Sequence, residues 1–191
     1  MHEIIYNPVC DIPQARVVER GTMKVLKTII IVFAMVVFLL IVLFGIYLVT
    51  HRQGAIKPSE IVNPEANKSI LIASQGSKFK NELLDSVTAR LKNKPLSVKV
   101  IDVTTLHQIS EADFLAIVII HTTEKWKMPT DVMKFLDRAK DLKKIMLVTT
   151  SGAGDWKTKD YSVDVITSAS ARSELRVLPA RISAWIDSTL E

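Results

Sequence analysis

The sequence predicts an α/β protein: one open parallel sheet with helices on both faces, preceded by a single membrane-spanning helix. Three observations lead there. The stretch from Thr28 to Thr50 is 23 residues long, carries no charge, and has 20 apolar residues. Beyond residue 67, short apolar runs alternate with segments of helical periodicity, the mark of strand–helix–strand units. The 191 residues are also 48% hydrophobic and 24% charged, with a mean hydropathy of +0.24, a combination foreign to an ordinary soluble domain. Without the uncharged stretch, roughly 43% of the remainder is hydrophobic, an ordinary globular value. Disordered chains, multi-span membrane proteins and disulfide scaffolds are thereby excluded. The single cysteine, Cys10, has no intramolecular disulfide partner.

A 23-residue helix is about 34 Å long, enough for a hydrocarbon core of about 30 Å. A cleaved signal peptide would have a shorter apolar core followed by small residues. This run ends instead in Leu48-Val49-Thr50-His51-Arg52, so a retained anchor in the cell membrane is expected. Arg16, Arg20, Lys24 and Lys27 precede the span, whereas Arg52, Lys57 and Lys68 are spread out after it. That bias puts the N-terminus in the cytoplasm and the C-terminal domain outside. Met23-Lys24-Val25-Leu26-Lys27 resembles a complete anchor start, and residues 1–22 carry Pro8, Pro13 and Gly21 without clear periodicity. Translation from Met23 is one expectation, and an intact mass decides it. The expected divisions are a tail at 1–27, the span at 28–50, a linker at 51–67 containing Gly54, Pro58 and Pro64, and one domain at 68–191.

The domain reads in order. Ser69–Ala73 is a strand of the buried type. Phe79, Leu83, Leu84, Val87 and Leu91 follow at helical spacing until Asn93-Lys94-Pro95 stops the helix. Leu96–Asp102 alternates as a strand, and a short connection leads to Leu115–Ile120, apolar throughout and so central in the sheet. Pro129 suits the first turn of a helix whose stripe is Val132, Phe135, Leu136, Ala139 and Leu142. Lys144–Thr150 and Val163–Thr167 are the last two of five strands, and Leu178, Ile182, Trp185 and Ile186 share one face of the final helix.

Ligands of open α/β sheets bind beyond the carboxyl ends of the strands. Here those ends are Ser74-Gln75-Gly76-Ser77, His121-Thr122-Thr123, Thr149-Thr150-Ser151-Gly152-Ala153-Gly154-Asp155-Trp156 and Thr167-Ser168-Ala169-Ser170. Hydroxyls, glycines and bare amides suit an anion, although the same residues cap helices and make turns everywhere.

On these motifs the segment from Ser69 to Glu191 resembles the flavodoxin family. Ser74-Gln75-Gly76-Ser77-Lys78 lies where that family's phosphate loop follows the first strand. Ala116 to Pro129, with His121-Thr122-Thr123-Glu124-Lys125-Trp126, is similar to its third strand and aromatic-bearing flavin loop, which leads to a proline and then a helix. Gly152-Ala153-Gly154-Asp155-Trp156 is similar to its Gly-x-Gly-Asp loop. The resemblance implies a three-layer open sheet of five parallel strands ordered 2-1-3-4-5. It also implies a flavin mononucleotide (FMN) site built from Ser74, Gln75, Gly76, Ser77, Thr122, Thr123, Trp126, Ser151, Gly152, Gly154, Asp155 and Trp156. The chain departs from the family's pattern in three ways. It lacks the threonine-glycine-asparagine-threonine run, its connection between the second and third strands is too short for a full helix, and only about 12 residues separate the last two strands.

Trp126 and Trp156 could sandwich a planar ring, or pack onto their own loops, or face a membrane or partner. Trp185 belongs to a helical stripe and is expected in the core. His121 has no acidic or cysteine partner in sequence and is expected to be structural. Metal and hydrolase signatures are missing. Residues 51–191 carry 21 basic and 17 acidic side chains, net +4. They are spread over helix faces, so nucleic acid is not an expected partner. Two functions follow. One is FMN-dependent electron transfer with a redox partner at the membrane. The other is a flavin-free module that binds within a membrane complex. The Lys125-Trp126-Lys127 cluster suits either an anionic cofactor or anionic headgroups.

Overall fold

The computed structural model describes residues 14–50, 54–63 and 66–191. Residues 1–13, with Cys10, Pro8 and Pro13, lie outside the described residues, as do 51–53 and 64–65 of the expected linker. The chain divides into two compact units, residues 1–52 and 53–191.

In the first unit, helix α1 (Gln14–Thr50) is 37 residues long. It starts ahead of the expected span and takes in Gln14–Thr22, a stretch without clear periodicity in the sequence. Its segment Met23–Tyr47 is 25 residues long with a mean hydropathy of 3.5 and is not buried by protein. That segment is long and apolar enough to cross a membrane.

The second unit is built on a six-stranded sheet. In chain order its elements are β1 (Ser59–Ile61), β2 (Ser69–Ser74), α2 (Lys78–Leu91), β3 (Ser97–Asp102), β4 (Ala116–Thr122), α3 (Thr130–Arg138), β5 (Ile145–Thr150), β6 (Asp164–Ser168) and α4 (Leu178–Leu190). The spatial order is β1-β3-β2-β4-β5-β6. From β3 to β6 all neighbours are parallel. Those five strands therefore realise the order 2-1-3-4-5 expected from the sequence, with a reversal beside β2, the first of them in the chain.

The sixth strand corrects the linker. Ser59, Glu60 and Ile61 pair antiparallel with Val100, Lys99 and Val98 of β3. Three residues are too few to show a period of two, and Pro58 beside them points to a loop. The segment is nevertheless part of the sheet. The connection after β3 is also not bare loop: Val103–Gln108 and Glu111–Asp113 form 3₁₀ helices of two turns and one, and Val103 and Leu106 of the first are buried.

The central strands have two buried faces, and the two cores show why. On one face Ile70, Ile72, Val98, Val118, Ile120 and Val148 meet Leu83, Val87 and Leu91 of α2 and Leu178, Ile182 and Ile186 of α4. On the other, Leu71, Ala73, Ile101, Ile117, Ile119 and Leu147 meet Leu106 and, from α3, Val132, Phe135 and Leu136. Each fully buried aliphatic side chain contributes about 1.5–3 kcal/mol relative to an exposed one, so these stripes dictate which faces pack. Helix α3 stops earlier than its stripe implied. Ala139 is already extended, and Leu142 belongs to a 3₁₀ turn. The Arg138 guanidinium donates to the carbonyls of Leu106 and Ile109 and ties the end of α3 to the turn after β3. Trp185 is half-buried against the first core, and its indole N–H donates to Asp164 at 2.7 Å.

Candidate functional site

Because the five strands are parallel, all their carboxyl ends gather at one edge. The β2–α2 connection there is only Gln75, Gly76 and Ser77. Ser74 is buried at the end of β2, its hydroxyl donating to the Gln75 carbonyl at 3.0 Å. Ser77 is the N-cap of α2 and accepts from the Lys80 N–H at 3.3 Å. Gly76 is in a reciprocal bridge: its N–H donates to the Gly54 carbonyl at 2.6 Å, and the Gly54 N–H donates back at 2.7 Å. Ile56 N–H, two residues on, donates to the Asp102 carboxylate at 2.8 Å. Residues 54–56 thus strap across the phosphate-loop position. A Cβ on Gly76 would lie 2.5 Å from the Gly54 oxygen, so this approach needs glycine.

Behind the loop, Gln75 and the end of β4 are joined. The Gln75 amide oxygen accepts from Thr122 N–H at 2.7 Å, and its NH₂ reaches Glu124 at 3.5 Å. Lys80, in the first turn of α2, is fully buried, and its ammonium donates to the Thr122 hydroxyl at 2.5 Å. Thr150 donates to the His121 carbonyl at 3.3 Å, so Thr122, 2.7 Å from Thr150, is the donor between the two hydroxyls. The polarity runs from Lys80 through Thr122 and Thr150 to the backbone. Burial lowers the Lys80 pKa from 10.5 to about 8, with the Glu124 charge opposing the shift. His121 is buried, its Nε2 3.1 Å from the Thr149 hydroxyl. Burial lowers its pKa to about 4, the Thr122 backbone opposing and the Lys80 charge assisting.

Lys80 is the residue the sequence reading missed. It stands three residues before Leu83 and seven before Val87, on their stripe. A lysine inside an apolar stripe and at a helix N-terminus, where the dipole disfavours cations, is a legible signal.

The remaining expected residues divide. Ser151 is buried, and its hydroxyl accepts from Gly154 N–H at 3.0 Å. Gly154 has φ 71°, and a Cβ there would lie 2.6 Å from Ala169 N, so the loops after β5 and β6 are pressed together. Gly152 and Asp155 are exposed. The loop after β6 closes on an internal carboxylate: Glu174 accepts from the Ser168 hydroxyl and from the amides of Ala169 and Ala171. Thr123 N–H donates to Thr150 at 3.0 Å. Trp156 packs partly against the α3-side core, and its indole N–H donates to the Trp126 carbonyl at 3.0 Å. Trp126 itself is 74% exposed. The edge does bring the expected residues together, but the indoles are not two parallel walls: one lies against the core and the other stands in solvent.

The donor set can be tested against FMN. A phosphate needs several amides and hydroxyls pointing outward. Here the Gly76 amide is engaged by Gly54, the Thr122 hydroxyl donates to Thr150, and the amides after β6 hold Glu174, while Ser77 accepts from Lys80 N–H and keeps its own O–H. As arranged, the phosphate cradle does not fit. An open cleft of about 280 Å³ lies on the α2 side, lined by Lys78, Phe79, Glu82, Ser170 and Arg172. Among the described residues no cluster of metal-ligating side chains occurs.

No protein-family model matches the chain, and no curated protein sequence matches it. Solved structures do. The Flv1 flavodiiron core of Synechocystis sp. PCC6803 is 10% identical with a TM-score of 0.45, covering 66% of this chain and 37% of that one. The chain thus spans a little over a third of that protein. A short-chain flavodoxin associated with a non-canonical PDU bacterial microcompartment is 14% identical, TM-score 0.46, covering 65% and 99%. General stress protein 14 of Treponema denticola, in complex with FMN, is 16% identical, TM-score 0.40, covering 64% and 99%. Read from its own strand order and its helices on both faces, the unit 53–191 has a flavodoxin-like fold.

Proposed function

We propose that the chain is a single-span membrane protein whose flavodoxin-like unit serves as a flavin-free binding module in a membrane complex. One observation carries this: the strap at Gly54 holds the Gly76 amide that a phosphate would need, in two short reciprocal hydrogen bonds. The hydroxyl-rich edge is consistent with it: Thr122 accepts from Lys80 and donates to Thr150, and Ser168 donates to Glu174. The apolar segment Met23–Tyr47 supports an anchor in this reading, and the basic residues before it favour a soluble unit outside the cytoplasm.

FMN-dependent electron transfer is the second reading. The exposed indole of Trp126 beside the Gly152–Trp156 loop favours it. In that case the flavin supplies the redox chemistry, Ser74, Gly76 and Ser77 would hold the phosphate, and Trp126 and Trp156 would flank the ring. The strap would have to leave Gly76 first.

Titration of the purified full chain with FMN, followed by flavin fluorescence and visible absorbance, separates the two. The module reading expects free-flavin spectra throughout. Saturable quenching at one flavin per chain refutes it and supports the electron carrier.

A further inference from the structure

The turn after β4 is short and closed by backbone pairing. Glu124 and Lys127 face each other in an antiparallel bridge, with N–H···O contacts of 2.8 and 3.0 Å in the two directions. Only Lys125 and Trp126 lie between them, with φ of 50° and 65°. Positive φ at both central residues is the signature of a tight hairpin turn that normally selects Asn-Gly, because a side chain is strained there. This chain places a lysine and a tryptophan in those positions. Its next two residues, Met128 and Pro129, are buried. The Trp126 carbonyl is held by the Trp156 indole at 3.0 Å, so the turn is braced from behind. The braced turn projects an indole that is 74% exposed, between two exposed lysines.

We infer that Lys125-Trp126-Lys127 is an interfacial anchor that docks on anionic phospholipid headgroups. An indole has an apolar body and a polar N–H and settles at the headgroup level, where tryptophan is enriched. Lysines on either side match the negative surface and extend along it. The inference rests on the flavin-free reading, in which no flavin ring covers Trp126.

The test uses the full chain reconstituted into liposomes of neutral phosphatidylcholine, with or without phosphatidylglycerol, the acyl chains brominated near the headgroup. The chain's three tryptophans, Trp126, Trp156 and Trp185, all lie outside the apolar span. Quenching of tryptophan emission is expected with phosphatidylglycerol, to be lost in Trp126→Phe, and to weaken several-fold in Lys125→Gln/Lys127→Gln or at high salt. Equal quenching in wild type and Trp126→Phe overturns the inference. So does equal quenching with and without the anionic lipid, or protection of Trp126 by an acidic peptide alone. The FMN titration reads the other question separately: flavin binding refutes the flavin-free reading, whereas absent quenching without flavin binding refutes only the lipid contact.

Discussion

Replacing Lys80 with methionine tests the account of the sheet edge most directly. Methionine keeps the unbranched shape and removes the charge. Burial takes the Lys80 pKa from 10.5 to about 8, which corresponds to about 3 kcal/mol of destabilisation at neutral pH. The sign follows from proton counting. Between those values the unfolded chain holds the proton and the folded chain has released it, so stability rises with pH. Roughly half the cost, about 1.5 kcal/mol, is recovered between pH 8 and 9.5. Higher pH is less clean. Tyr161, whose hydroxyl donates to Asp137 at 2.5 Å, has its pKa raised to about 12 by that bond, so its stabilisation is lost above pH 10. The assay is urea unfolding of the full chain in micelles, followed by tryptophan emission. Wild type should gain about 1.5 kcal/mol across the window, and Lys80→Met should be flat and more stable than wild type at pH 7 by about 1–3 kcal/mol. A flat wild-type profile, or the same slope in the variant, refutes a buried ammonium.

Two further outcomes are expected. Burial holds His121 near pKa 4, so the unfolded chain takes up the proton first and stability falls with acid, by about 2 kcal/mol from pH 7 to 5. His121→Asn should flatten that limb of the urea profile. Gly76→Ala would put a Cβ 2.5 Å from the Gly54 oxygen and break both bridge hydrogen bonds, worth about 0.5–1.5 kcal/mol each. Hydrogen exchange at residues 54 and 76 should then accelerate by one to two orders of magnitude, and unchanged protection would dismiss the strap.

What was legible in the sequence followed from burial. Ile70 to Ala73 and Ala116 to Ile120 are apolar without alternation because helices cover both faces of β2 and β4. Their strands and their hydroxyl-rich ends could therefore be read directly, whereas the strand order came from the family resemblance. Ser59–Ile61 could not: three residues, of which only Ile61 packs on the core, are too few to show a side-chain pattern. The strap was hidden for the same reason, since the Gly54–Gly76 bridge is made by two residues without side chains. The site was legible as a location more than as chemistry. Ser77, Thr122 and Ser168 were recognised as hydroxyls at strand ends, but their partners Lys80 and Glu174 sit in the helical segments that follow the loops, where a lone charged residue reads as part of a solvated face. Trp126 and Trp156 look alike in sequence, and the hydrogen bond between their loops gives them opposite fates.

The three-residue strand β1 has a practical consequence for cutting the chain. It covers the outer side of β3, pairing with Val98, Lys99 and Val100. A soluble fragment that begins at residue 66 or 68 removes it and bares a row of unpaired amides and carbonyls on a strand whose valines are buried. Such an edge invites pairing with another molecule. The soluble form to prepare starts near Gln53, where the second unit starts. A shorter fragment that aggregates would report on its missing guard strand, not on the stability of the fold.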